Sequence, residues 1–125
     1  MPTEDLIGTA VLETLTIEEA RARYDANEII LIDVRTPSEY AYEHVAGALL
    51  APVSGFDPAR LPTGGPRPLV LMCGSGVRSH RMAERCIEAG FERITHVAGG
   101  FTAWKAAGYA YLGTDTATGA HVPRP

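Results

Sequence analysis

The order of apolar and polar residues along the chain predicts an α/β fold. Continuous apolar runs lie at Ile29–Ile32 and Leu69–Met72, and such runs are typical of strands buried on both faces of a parallel sheet. Weaker runs at 11–15, 45–50 and 93–97 predict further short strands. Because stretches with helical patterning separate these runs, we expect right-handed crossovers and a sheet that helices cover on both faces.

Two of the predicted helix starts carry a capping signature. Thr16 is followed three residues later by Glu19, and Thr36 in the same way by Glu39. In this arrangement, the N-cap hydroxyl and the acid each satisfy a free backbone N–H group. Pro37 also fits a first helical position. Two more helices are predicted after residues 77 and 100, and their apolar residues at helical spacing are Met82, Ala83, Cys86, Ile87, Phe101 and Trp104.

Cys73 ends the Leu69–Met72 run and begins a tight turn into the third helix. Gly74 and Gly76 allow backbone N–H groups to turn toward a ligand, and a helix N-terminus carries partial positive charge. Arg78 adds a formal charge, so the turn predicts an anion-binding cradle in which the cysteine favours the thiolate. The candidate catalytic residues are Cys73 and Arg78, and the candidate substrate-binding residues are Gly74, Ser75, Gly76, Val77 and Ser79.

Composition indicates one globular domain with no basic surface. The chain has 125 residues, of which 46% are hydrophobic and 21% charged; this length suits one domain with a core. We expect the domain at 11–112, a flexible N-terminus at 1–10 and a disordered tail at 113–125. The net charge of −4 argues against nucleic acid and anionic membranes as partners. With no signal peptide or membrane span evident, the expected location is the cytoplasm.

The second cysteine has a different interpretation from the first. Cys73 lies at the end of a strand and Cys86 about two and a half turns along the next helix, roughly 14 Å away by helix rise, which is too far for a disulfide. Both are therefore expected to be reduced thiols. We expect Cys86 to pack in the apolar stripe of the third helix rather than to act as a resolving cysteine.

Three separated motifs resemble the rhodanese family of sulfurtransferases. The first joins Ile32–Tyr40 to His44–Ala48, the second is the loop Cys73–Ser79, and the third is Val97–Trp104. Together they span nearly the whole predicted domain. The resemblance implies a three-layer rhodanese-like fold with a five-stranded parallel sheet covered by helices on both faces.

The resemblance also implies a ping-pong reaction. The thiolate of Cys73 attacks the outer sulfur of a small anionic donor, becomes a persulfide, and passes the sulfane sulfur to cyanide, a thiol or an acceptor protein. No metal or organic cofactor is implied. Neutral residues at Gly74 and Ser75 leave the donor open among thiosulfate, mercaptopyruvate and a persulfide.

Two other functions are compatible with the same loop. A sulfur carrier or redox-sensing module would use Cys73 without turning over small donors. A cysteine-dependent phosphatase is less favoured, because four residues separate Cys73 from Arg78, whereas phosphatases place five there to surround a phosphoryl group with three equatorial oxygens.

The polar residues of the first motif are interpreted as structural rather than catalytic. They occupy capping and turn positions, which favours a hydrogen-bond network that shapes the site. These residues are Asp33, Arg35, Glu39 and His44. His96 and His121 have no metal-ligand spacing with any partner.

Overall fold

A computed structural model describes residues 2–125, which form nine strands and four α-helices. The strands are β1 (Thr3–Ile7), β2 (Ala10–Leu15), β3 (Ile30–Asp33), β4 (Glu43–His44), β5 (Leu49–Leu50), β6 (Leu69–Met72), β7 (Arg93–Val97), β8 (Tyr111–Thr114) and β9 (His121–Arg124). The helices are α1 (Ile17–Asp25), α2 (Pro37–Tyr42), α3 (Val77–Glu88) and α4 (Gly100–Ala106), and a 3₁₀ helix spans Pro58–Arg60. Within this range, no helix has the length and apolar character needed to cross a membrane.

The main sheet has six strands in the order β1-β2-β7-β6-β3-β5. Neighbouring strands from β2 to β5 in that order run parallel, whereas β1 pairs with β2 in the antiparallel direction. The predicted α/β fold class is therefore confirmed, and the five parallel strands carry one additional antiparallel edge strand. Because β6 has a parallel neighbour on each side, the residue after it lies at the carboxyl edge of the sheet, away from its lateral edges.

Alternate residues of β6 face two separate apolar cores. Leu69 and Leu71 belong to one core, and Val70 and Met72 belong to the other, as the period of two along a strand requires. The helix residues of the first core are Met82, Ala83 and Cys86 of α3, and those of the second core are Ala20 of α1 with Phe101 and Trp104 of α4. Helices therefore cover both faces of the sheet.

The capping signals form as the sequence predicts, and α3 begins in a different way. The Thr16 hydroxyl accepts from the N–H of Glu19 at 3.2 Å, and the Glu19 carboxylate accepts from the N–H of Thr16 at 2.8 Å. Thr36 and Glu39 repeat this pair at 3.1 and 3.0 Å. At the start of α3, Gly76 is the N-cap with a φ of 104° and no side-chain cap. The first N–H groups of α3 therefore have no capping side chain from Gly76.

Both ends of the domain differ from the prediction. Residues predicted as a flexible N-terminus form β1, and part of the predicted disordered tail forms β8 and β9, which join β4 in a second sheet. β1 is exposed along its whole length, so its pairing depends on the free backbone groups of β2 rather than on an apolar pattern. In the β8-β9 turn, the Asp115 carboxylate accepts from the N–H of Ala117 at 2.9 Å, and Gly119 has a φ of 74°. Strands therefore extend beyond the predicted 11–112 domain.

Candidate active site

The segment Cys73–Ser79, called the loop here, lies at the carboxyl end of β6 and includes the first three residues of α3. In open parallel sheets this edge is where ligands bind. An open groove of about 490 Å³ adjoins the loop. The residues that line it include Ser75, Gly76, Val77, His80, His96 and Gly99.

Hydrogen-bond donors of the loop surround the sulfur of Cys73. The N–H of Gly76 donates to Sγ at 3.0 Å. Burial raises the pKa of the Cys73 thiol, but the Ser79 hydroxyl and the backbone N–H groups of Ser79, Gly76 and Ser75 lower it, and the net pKa shift is downward. The direction agrees with the expectation that the loop favours the thiolate.

The start of α4 fixes the loop from behind. The N–H of Phe101 donates to the carbonyl of Cys73 at 2.8 Å, and the N–H of Thr102 donates to the carbonyl of Gly74 at 3.0 Å. In a trans peptide the C=O and N–H groups point in opposite directions, so fastening these two carbonyls to α4 turns the N–H groups of the same peptides away from it. Gly100 permits the close approach, because a Cβ atom there would overlap the carbonyl oxygen of Cys73.

Arg78 is paired with Glu39 rather than standing free beside the sulfur. Its Nη1 donates to Oε1 of Glu39 at 2.7 Å, and its Nη2 donates to Oε2 at 3.1 Å. The hydrogen bonds from Arg78 lower the pKa of Glu39 to about 2, and those to Glu39 raise the pKa of Arg78. The main groups that lower the pKa of Cys73 are Ser79 and the loop amides, so the guanidinium, which the sequence predicts as an additional source of thiolate stabilisation, is not a leading one.

A buried chain of polar side chains lies behind the sulfur. Oγ of Ser79 is 2.9 Å from Nδ1 of His96, and Nε2 of His96 is 3.2 Å from Oγ1 of Thr14. Desolvation lowers the pKa of His96 to about 4, with the charge of His80 as a smaller cause. At neutral pH the imidazole is therefore uncharged, with one N–H group and one acceptor nitrogen between two hydroxyl groups.

The seven predicted site residues are together in one loop but differ in exposure. The buried ones are Cys73 and Ser79, the half-buried ones are Gly74, Gly76 and Arg78, and the exposed ones are Ser75 and Val77. Ser75 acts on the pKa of Cys73 through its backbone N–H, whereas the side chain of Val77 is 63% exposed. A contact between Val77 and a donor is therefore expected only at the rim of the loop.

Asp33 and Arg35 form a buried ion pair with a structural role. The guanidinium donates to the Asp33 carboxylate at 2.8 to 3.1 Å and to the backbone carbonyl of Glu43 at 2.7 Å. It also lies 4.4 Å from the ring centroid of Phe101. Nδ1 of His44 is 2.8 Å from a backbone carbonyl of α2. These contacts join β3 to α2, β4 and α4, in agreement with the predicted network. Glu39 belongs to the same motif, but its carboxylate contacts Arg78 in the loop.

The second cysteine and the metal-ligand residue types form no further site of the kinds predicted from the sequence within residues 2–125. Both cysteines are free, and Cys86 packs in the core of α3, as predicted, where burial raises the pKa of its thiol to about 11. Within residues 2–125, no three His, Cys, Asp or Glu side chains are grouped so that they could hold a metal ion.

Spacing along the chain does not identify Glu39 and His96 as neighbours of the loop. Glu39 is 39 residues from Arg78, and His96 is 17 residues from Ser79. One signal for His96 does exist: parallel pairing of β6 with β7 places it opposite Leu71. A polar residue near the end of β7 therefore lies beside the strand that carries the cysteine.

Comparison with known proteins agrees with this architecture. Residues 16–107 match the family model for the rhodanese-like domain. An uncharacterized protein of Synechocystis sp. is 36% identical over 102 residues, which cover 82% of this chain and 55% of that protein. Thiosulfate sulfurtransferase GlpE of Pseudoalteromonas translucida is 27% identical over 93 residues, which cover 74% of this chain and 89% of GlpE. The solution structure of the rhodanese-like domain of Anabaena sp. Alr3790 has a TM-score of 0.70 at 24% identity, covering 80% of this chain and 78% of that domain.

The six-stranded, largely parallel sheet, covered by helices on both faces and followed at its carboxyl edge by the loop that begins at Cys73, places the chain in the α/β class. Within this class, the chain belongs to the family of rhodanese-like domains, because the family model covers most of its length. The chain spans 55% of the length of the Synechocystis relative. Among these relatives, GlpE is named as a thiosulfate sulfurtransferase.

Proposed function

We propose that the chain is a sulfurtransferase in which Cys73 carries a sulfane sulfur as a persulfide. The observation that supports this most directly is the set of donors around Sγ, of which the N–H of Gly76 is at 3.0 Å. These donors lower the pKa of a buried thiol. A thiolate is the nucleophilic form of cysteine, and amides already aimed at it are also placed to stabilise the terminal sulfur of a persulfide.

The proposed reaction has two balanced steps. The Cys73 thiolate attacks the outer sulfur of the donor; a new S–S bond forms, the donor's bond to that sulfur breaks, and its electron pair leaves with the donor remnant. A thiolate or cyanide then attacks the outer sulfur of the persulfide, and the electron pair of the S–S bond returns to Sγ. The amide donors hold one negative charge in the starting thiolate and in the regenerated thiolate, so neither step requires them to rearrange.

A turnover assay with thiosulfate and cyanide tests this proposal. We expect thiocyanate formation that is lost in Cys73→Ser and kept in Cys86→Ser, since Cys86 has no donors directed at its sulfur. Mass spectrometry of the peptide that contains Cys73 is expected to find one extra sulfur atom after incubation with donor. Transfer that persists in Cys73→Ser would overturn the proposal.

A sulfur carrier or redox-sensing module is the second candidate, and the burial of Cys73 favours it. The side chain is 0% exposed, so a reactant reaches Sγ only after the groups that cover it move. In a carrier, docking of a partner protein would supply that movement. A stable persulfide that forms only with a partner protein, without turnover of small donors, would support this function over the enzyme.

A phosphatase is less well supported than either candidate. Four residues separate Cys73 from Arg78, and the guanidinium that would hold phosphoryl oxygens is bonded to Glu39. Hydrolysis of p-nitrophenyl phosphate that depends on Cys73 would favour the phosphatase over sulfur transfer.

A further inference from the structure

Arg78 and Glu39 form a neutral pair at the one formal cation of the loop. Within residues 73–79, Arg78 is the only lysine or arginine. Both oxygens of Glu39 accept from its guanidinium, at 2.7 and 3.1 Å. The two side chains are about one-third exposed, at 34% and 37%. A ligand that approaches the loop from solvent therefore meets a carboxylate together with the cation.

The pair lies close to the first residue of the loop after the cysteine. Nη2 of Arg78 would be 3.0 Å from a Cβ atom at Gly74, and Oε2 of Glu39 would be 4.0 Å from the same point. Gly74 is the residue directly after Cys73 in the loop. The carboxylate is thus within a few ångströms of the backbone that leads to the sulfur.

Glu39 is held in this orientation from two sides. Its Oε1 also accepts from the N–H of Thr36 at 3.0 Å, as part of the capping box of α2. An anion that takes Arg78 must therefore displace a carboxylate that the helix start independently positions. Exchange of one carboxylate for another anion brings no net gain of charge pairing.

From this geometry we infer that Glu39 is a specificity-determining residue that makes the loop select a sulfur donor of low charge over a dianion such as thiosulfate. The inference rests on the proposed function. The loop donors hold one negative charge, on the sulfur itself, and the neutralised Arg78 offers no second positive charge for a sulfonate. A persulfide of a small thiol, R–S–SH, fits this arrangement.

The step with such a donor balances without a further reactant. The Cys73 thiolate attacks the terminal sulfur of R–S–SH, the S–S bond of the donor breaks, and a new S–S bond forms on Sγ. The electron pair and negative charge leave as R–S⁻, which takes a proton from solvent. With thiosulfate, the leaving group would be sulfite. This dianion would form next to the carboxylate of Glu39, which would repel it.

Glu39→Gln is the decisive variant because it removes the charge and keeps the fold. Glutamine at the third helical position also completes a capping box, so α2 retains its start. Glu4→Gln is the matched control: Glu4 is likewise an exposed carboxylate paired with an arginine, Arg93, and it is not among the residues that line the groove beside the loop. Thermal unfolding of both variants checks that the fold is intact.

The first readout compares two reagents of similar shape and different charge. Peptide mass spectrometry follows the alkylation of Cys73 by iodoacetate, which is an anion, and by iodoacetamide, which is neutral. In Glu39→Gln we expect the ratio of the iodoacetate rate to the iodoacetamide rate to rise about 10-fold, or about 1.4 kcal/mol. In Glu4→Gln the ratio should stay as in the wild type. An unchanged ratio in Glu39→Gln would overturn the inference.

The second readout compares sulfur donors. The ratio of kcat/KM for thiosulfate to that for cysteine persulfide should also rise about 10-fold in Glu39→Gln. If both donors are turned over and neither ratio changes, the role of Glu39 is refuted while the proposed function stands. If the alkylation ratio rises and neither donor transfers sulfur in any variant, the proposed function is refuted while the charge selection by Glu39 stands.

Discussion

The two cysteines of this chain are both completely buried, yet their thiols have opposite pKa shifts. Cys73 and Cys86 are each 0% exposed and belong to the same apolar core. The pKa of Cys73 is lowered, whereas burial raises the pKa of Cys86 to about 11. Burial therefore does not decide which thiol is reactive.

Backbone geometry explains the difference. Cys86 lies inside α3, where neighbouring N–H groups are used by the helix itself, and only the charge of Arg85 opposes the effect of burial. Cys73 lies in the turn before the same helix, where the N–H of Gly76 points at the sulfur and the Ser79 hydroxyl adds a donor. The comparison shows that a few oriented donors outweigh the desolvation of a thiolate in a closed core.

Replacing each cysteine by serine gives the largest contrast. Cys73→Ser should reduce sulfur transfer to the uncatalysed background, because serine is not ionised near neutral pH and cannot carry the sulfur. Cys86→Ser should retain transfer and lose about 1–3 kcal/mol of stability, because it buries a hydroxyl in an apolar cluster. Thiocyanate formation and urea unfolding measure the two effects. Equal losses of sulfur transfer in both variants would contradict the proposal that only the Cys73 thiol carries sulfur.

The polar side chains behind Cys73 should make the fold sensitive to acid, an effect without a counterpart around Cys86. An unfolded histidine binds a proton near pH 6.5, whereas His96 in the fold has a pKa of about 4. The unfolded state then binds more protons between these values, so the free energy of unfolding should fall by about 3 kcal/mol as pH drops from 7 toward 4.

His96→Asn should remove this contribution to the acid sensitivity. Urea unfolding at pH 7 and pH 4.5 measures it in the wild type, in His96→Asn and in a control, His121→Asn, whose histidine is exposed on β9. The wild type and the control should lose similar stability on acidification, and His96→Asn should lose less. If His96→Asn loses as much stability between pH 7 and pH 4.5 as the wild type, His96 is not the group responsible.

Removing the hydroxyl of Ser79 should bring the pKa of Cys73 closer to that of Cys86. We expect this effect to be smaller than those of the preceding variants. Ser79→Ala removes one hydrogen bond to a charged group, so alkylation of Cys73 by iodoacetamide at pH 7 should slow about 10-fold. Ser75→Ala is the matched control, because Ser75 acts on Cys73 through its backbone N–H. The pH profile of alkylation should move upward in Ser79→Ala alone. If the pH profile of Cys73 alkylation is the same in Ser79→Ala and Ser75→Ala, the donors to the sulfur are backbone N–H groups only.

The sequence predicts those features of the fold that depend on neighbouring residues. The apolar run at Leu69–Met72 becomes β6, and the Thr36 and Glu39 pattern becomes a capping box. The turn at Cys73 is likewise predicted, because its glycines and the start of α3 are adjacent in the chain. In each case, the residues that determine the structure lie within a few positions of one another.

Contacts between distant residues and pairing without apolar periodicity are not predicted. β1 is exposed and has no alternating apolar pattern, and its strand conformation depends on the edge of β2. The contact of Glu39 with Arg78 joins α2 to α3, and that of Ser79 with His96 joins α3 to β7. Such pairs form only after the sheet has brought separate segments together. A capping signature at Glu39 gives no indication of a second partner.

The hydrogen bonds between the loop and α4 make the backbone position around Cys73 independent of the exposed side chains of the loop. The carbonyls of Cys73 and Gly74 are held by backbone N–H groups of α4, so the path of the backbone at these two residues does not depend on the side chains of Ser75 and Val77. Ser75 and Val77 are exposed on that frame. If the proposed sulfur transfer holds, substitution at these two positions changes the rim that a donor meets while the backbone around Cys73 keeps its position.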